Sequence, residues 1–205
     1  MNNAIVNSIN SVVREDDILI HLGDWSFGGI EQIWEFRKRI QCKNIYLFLG
    51  NHDHFIEQNR VLPNCYEDSL GHVQDGPNPR NYGDWRDEMF DCQAQSLFRL
   101  VRKLEEVEVI VPADPLTGEK EIKLNFVMCH YPIASWQNMS HGMMHLHGHV
   151  HLLPDQKLAE GRAMDIGMDG NGLSPYLIQE VRSKLRDRPI KSLSLARDHH
   201  ETEKR

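Results

Sequence analysis

No stretch of this chain strings eighteen apolar residues together, so no segment reads as a transmembrane helix. An export signal is missing too. Met1 is followed by NNAIVNSIN, not by a basic segment and an apolar one, and no secretory leader is expected. Cysteine is sparse: Cys42, Cys65, Cys92 and Cys129 stand far apart and form no CxxC pair. Without an export signal, that pattern points to reduced thiols in a cytoplasmic protein. An excess of positive charge is absent as well. The net charge of −7 argues against broad binding to a nucleic-acid backbone, which needs a basic face. It leaves room for a nucleotide substrate held through metal ions. What is present is 205 residues, 40% apolar and 26% charged, enough for one soluble domain with a sizeable core.

Along the chain, residues 2 to 13 carry apolar positions at helical spacing, and Ile18 to Leu22 reads as a buried strand ending in Gly-Asp. Residues 29 to 40 fit an amphipathic helix with Ile30, Ile33, Trp34 and Ile40 near one face. Ile45 to Leu49 is a second buried strand, so the first fifty residues predict a βαβ crossover. Residues 55 to 95 have few periodic apolar positions and read as a loop-rich insertion. Helical spacing returns over 96 to 107. Strands are expected at 107–111 and 121–130, paired around a PLTGEK turn, then a short strand and turn at MMHLHGHVH and a strand at 163–170. A helix is expected over 175–185 with Pro175 at its start, followed by a polar tail from 186 to 205. The whole reads as one domain over 1–185.

Four apolar runs end in residues that bind metals. They are LGD (Asp24), LGNHD (Asn51, His52, Asp53), VMCH (His130) and LHGHVH (His149, His151). In an α/β sheet, sites assemble where strands end, because loops converge there over a rigid scaffold. Asp, Asn and His offer hard oxygen and borderline nitrogen donors, a mixture suited to Mn²⁺, Fe, Zn²⁺ or Ni²⁺.

GD, then GNHD, then a lone His after an apolar strand, then GHxH, in that order, resembles the calcineurin-like metallophosphoesterase superfamily. HLGDWSFGG, HYPIASW and MDIGMDGN resemble its small bacterial and phage-type members. The resemblance spans Met1 to about Leu177. It implies an α/β fold of two packed sheets flanked by helices. It also implies a binuclear metal site and hydrolysis of a phosphate mono- or diester by metal-bound hydroxide, without a covalent enzyme intermediate. Carried over, Asp24 bridges two ions, Asn51, His130 and His149 complete one ion, and His151 binds the other. His52 stands beside the phosphate to stabilise the transition state or protonate the leaving oxygen. Asp24, Asn51 and His52 are thus the catalytic set. His149 and His151 lie two residues apart, about 6.6 Å along an extended chain, so both can face adjacent ions. The implied partner is a phosphoester, with a nucleotide among the options and no membrane involved.

The family opens with a D-x-H motif on its first strand, and this chain has none before Asp24. Three explanations stand open. Met1 is an internal methionine of a longer enzyme; or the strand is lost and the protein is a one-metal, impaired or non-catalytic scaffold; or Asp198 and His200 of the tail supply the motif.

Other histidines and acids carry plainer readings. His145 and His147 are expected to pack or to support ligands, while His54 and His141 are candidates for the cleft wall. Asp53 is expected to shape its loop or orient His52, and Asp165 and Asp169 to serve strand-end structure. Trp25 and Trp136 read as core or cleft wall.

Overall fold

The computed structural model describes residues 2–82, 89–113, 115–116, 118–153, 156, 158 and 161–191. Its first helix, α1 (Asn2–Val12), turns Val6 and Ile9 inward at the spacing of one helical turn. β1 (Ile18–His21), α2 (Ile30–Arg37) and β2 (Asn44–Phe48) form the expected crossover. The two strands run parallel, from Ile18 opposite Asn44 to His21 opposite Leu47. In α2, Ile33 is buried and Ile30 and Trp34 pack beside it, the face that the spacing predicts.

The next stretch departs from expectation. After the one-turn helix α3 (His54–Glu57), residues 61–93 contain a three-stranded antiparallel sheet, not loop alone. β3 (Val61–Glu67) is its centre, flanked by β4 (Val73–Asp75) and β5 (Phe90–Gln93). Only β3 has more than four residues, and one edge is irregular, so alternation never runs long enough to announce itself. The helix expected at 96–107 is also absent. A short 3-10 turn (Ala94–Leu97) leads into β6 (Leu100–Arg102), which pairs in parallel with β2. β7 (Leu104–Val111) follows at once. Leu97, Leu100, Val101 and Leu104 do fall at helical spacing, but pairing with β2 overrides that local preference.

β7 and β8 (Ile122–Cys129) form the expected hairpin, in register from Leu104–Cys129 to Val111–Ile122. β9 (Met144–His147) and β10 (Ala163–Asp165) extend this sheet in parallel, in the order β10-β9-β8-β7. The last helix, α4 (Ile178–Arg186), begins three residues after Pro175. The Glu180 carboxylate accepts the Leu177 backbone N–H at 2.8 Å to cap it.

Two cores result, and period-two alternation divides them. Leu19, Ile45 and Leu47 face α1 and α2, whereas Ile20, Leu22 and Phe48 face the second sheet and α4 through Phe126, Leu146 and Leu185. The architecture is mixed α/β with three sheets, one more than expected. Its parallel strands end together at Leu22–Asp24, Leu49–Asn51 and Gly148.

Candidate metal centre

The loops after β1 and β2 are locked together by one buried carboxylate. Asp53, 2% exposed, accepts three backbone N–H groups: Asp24 at 2.7 Å and Gly50 at 2.8 Å on Oδ2, and Trp25 at 2.7 Å on Oδ1. It spans both loops, a wider role than shaping its own. The contact is too close for side chains at the glycines. A Cβ on Gly23, whose φ is +95°, would meet His130 Nδ1 at 2.5 Å, and one on Gly50 would meet Asp24 Oδ1 at 2.3 Å.

Asp24 itself has φ +57°, a left-handed conformation that costs a non-glycine residue about 1–2 kcal/mol. Strain of this kind clusters at functional sites. The conformation aims the carboxylate across the gap. Its Oδ1 accepts the His52 backbone N–H at 3.0 Å, and its Oδ2 lies 3.5 Å from His130 Nε2.

His130, 2% exposed, follows β8. Its Nδ1 lies 2.7 Å from the Leu22 carbonyl, which can only accept, so the proton sits on Nδ1. In the neutral ring Nε2 then carries the lone pair, and it meets Asn51 Oδ1 and His149 Nδ1, each at 3.0 Å. Donor atoms of Asp24, His130 and His149 all lie within 4.8 Å of one another. Lone pairs on a carboxylate, an amide oxygen and two imidazoles repel unless a cation or a shared proton sits among them. That donor set suits a divalent ion of the kind the residue types implied. Leu22 supplies the supporting hydrogen bond that orients a ligating imidazole. Tyr131 walls the group, its ring 4.8 Å from that of His130 and 4.9 Å from that of His149.

Four of the five expected ligands thus converge, and His151 does not join them. Its ring sits at the surface with Nδ1 hydrogen-bonded to Asp169 Oδ2. Asp169, expected to serve only the strand end, is its partner. His52 stands at the exposed rim, its ring 4.8 Å from Phe27. His54 stacks on Phe55, and His141 lies beside Ser140. Asp165 does serve the strand end, accepting the N–H groups of Gly167 at 2.7 Å and Leu152 at 3.0 Å. Trp25 is core, 4% exposed, with edge contacts to Phe36 and Phe98. Trp136 leans on His145. Asp198 and His200 lie outside the described residues.

Sequence reading passed over His21. It closes β1, meets Trp25 edge-on at 5.0 Å, and its Nδ1 is buried without a hydrogen-bond partner among the described residues. Burial lowers its pKa, opposed by the carboxylates of Asp53 and Asp24. The signal was there in DILIHLGD: a histidine inside an apolar strand, two residues before the glycine turn.

Comparison with protein-family models, with curated proteins and with solved structures returns no match for this chain.

Proposed function

We propose that the chain is a metal-dependent phosphoesterase that hydrolyses a phosphate mono- or diester, and that its metallophosphoesterase-like motifs act through one complete ion site. The observation that carries the reading is the meeting of Asp24, Asn51 and His149 around Nε2 of His130. These four residues would hold a divalent ion. Such an ion, when bound, supplies positive charge for a phosphoryl oxygen and acidifies a water that attacks phosphorus.

The chain's own groups do the rest. Asp53 fixes both loops, so the donors do not reorganise as charge develops. The Leu22 carbonyl holds His130 in the tautomer that keeps Nε2 free. His52, tethered to Asp24 through its backbone N–H, leaves its imidazole at the open rim. There it donates a proton to the departing oxygen as the P–O bond to that oxygen breaks and the bond to water oxygen forms. His151 spends only Nδ1 on Asp169 and stands apart from the cluster of Asp24, His130 and His149, which favours a one-ion centre over a binuclear one.

Metal content of the purified full chain, read with turnover of bis-p-nitrophenyl phosphate plus Mn²⁺, tests this. One tightly held ion per chain, and turnover lost in His52→Ala with that ion retained, supports the reading. A folded chain that holds no ion at neutral pH and turns nothing over makes it a binding module instead.

A further inference from the structure

The pairing of β3 with β5 brings two cysteines together. It runs antiparallel, with Glu67 opposite Phe90 and Tyr66 opposite Asp91. One step further sets Cys65 across from Cys92. There the register breaks: the next paired position joins Val61 to Gln93, so Cys92 alone spans residues 62–65. Both side chains turn into the same core, Cys65 3% and Cys92 0% exposed. Cys92 is the one buried residue of β5, between exposed Asp91 and Gln93. The two thiols share a hydrogen bond. Residues opposite one another on antiparallel strands stand about 4.5–5.5 Å apart at Cα, within the span of about 4.4–6.8 Å that a disulfide bridges.

The other two cysteines are placed differently. Cys42 Sγ donates to the Asp17 carbonyl at 3.2 Å and Cys129 Sγ to the Tyr131 carbonyl at 3.0 Å. Each gives its proton to backbone. Nor do Cys65 and Cys92 belong to an ion site. Among the described residues, only Asp24, His130 and His149 gather three such donor side chains closely enough to hold one.

We propose that Cys65 and Cys92 form a redox pair: a hydroperoxide oxidises Cys92, and Cys65 then closes a reversible disulfide between β3 and β5. The Cys92 thiolate, its proton lost to water, attacks one peroxide oxygen. The O–O bond breaks, a sulfenic acid forms, and the departing hydroxide takes up a proton as water. The Cys65 sulfur then attacks that of Cys92; the S–S bond forms as the S–O bond breaks, and the Cys65 proton leaves with the hydroxyl as a second water. The two thiols give up two electrons, and the peroxide takes them.

Hydrogen bonding sets the order. Cys92 accepts from the Cys65 thiol, and Ser96 Oγ stands 3.5 Å from its sulfur, which holds Cys92 below the ordinary thiol range against the effect of burial. Cys65, the donor in that bond and buried too, is pushed up. The thiolate is the nucleophile, so Cys92 reacts first. β5 has four residues and lies at the edge of its sheet, where a brief local opening admits a molecule as small as hydrogen peroxide.

Peptide mapping of the full chain tests the pair. Metal content and turnover do not enter, so its outcome is separate from that of the phosphoesterase reading. The folded protein is treated with hydrogen peroxide, blocked with N-ethylmaleimide in urea and digested without reductant. A Cys65–Cys92 crosslink within one chain, removed by dithiothreitol and formed about tenfold faster than any oxidation of Cys42 or Cys129, supports the proposal. In Cys65→Ser, dimedone should label Cys92 as the sulfenic acid, with no disulfide; a Cys92 that takes no label overturns the assigned order. No crosslink in the native chain overturns the pair itself, as does a crosslink from either cysteine to another partner, or equal oxidation of all four thiols. The native chain alone decides the matter if Cys65→Ser fails to fold.

Discussion

His145 and His147 lie on one side of Gly148, His149 and His151 on the other, and the two pairs of identical side chains do opposite work. The first pair sits on β9 and is buried, 0% and 2% exposed. Each spends ring nitrogens on backbone. His145 Nδ1 donates to the Val127 carbonyl at 3.0 Å and its Nε2 accepts the Ile133 N–H at 3.3 Å; His147 Nδ1 donates to the Gly148 carbonyl at 3.1 Å. Burial lowers both pKa values, that of His145 to about 4. The second pair has left the strand and adopts φ +72° and +49°. Left-handed backbone throws these rings clear of the sheet, one into the donor cluster and one onto Asp169. Between these two pairs, residue type does not decide which ring stays in the strand and which reaches the donor cluster or the surface; the backbone conformation does.

The strongest way to break this contrast is to release the loops that create it. Asp53→Ala strands three backbone N–H groups, one buried and two part-buried, at about 1–3 kcal/mol each, so unfolding free energy by urea titration should fall by about 4 kcal/mol, and metal binding with it. Metal affinity undiminished in that variant would show that the donors hold themselves in place.

Next in size is His145→Ala. A cavity and unpaired backbone groups should cost about 3 kcal/mol, with metal bound per folded molecule unchanged. The acid limb carries the same signature. Because the folded pKa, about 4, lies below the ordinary 6.5, the unfolded chain takes up the proton first. The neutral ring's contribution is thus complete above about pH 6.5 and is lost as pH falls toward about 4, to the extent of about 3 kcal/mol. A His145→Gln variant should show a shallower loss across that window; an identical slope would remove His145 from the account.

His149→Ala should do the reverse. Metal affinity by calorimetry is expected to fall about 100-fold, or about 2.7 kcal/mol, with the urea midpoint unmoved. If it loses stability and keeps metal, the two sides of Gly148 are not different in kind. The smallest effect belongs to His151→Ala. Its surface pair with Asp169 should be worth less than about 1 kcal/mol, and first-ion affinity should change by less than about threefold.

Much of this was legible in order along the chain. GD, GNHD, the lone His130 and GHxH marked four strand ends, and Asp24, Asn51, His130 and His149 meet in space as their positions suggested. The βαβ start and the β7–β8 hairpin were equally open to reading, because their apolar runs are long and their periods clean. The antiparallel sheet at 61–93 was not, since short irregular strands leave too few alternations to distinguish from loop. The misread helix at 96–107 fails for another reason: its spacing is helical, and a partner strand more than fifty residues earlier in the chain decides otherwise.

By itself, then, the sequence determined which residue types stand at which strand ends, because apolar periodicity and glycine turns are local properties. Only the tertiary structure decided that Asp53 ties two loops into one frame, that the Leu22 carbonyl fixes the His130 tautomer, and that His151 turns away to Asp169. Each of those depends on a hydrogen bond between residues 18 to 108 positions apart, and the direction of such a bond is set by how whole strands pack, not by the residues beside it.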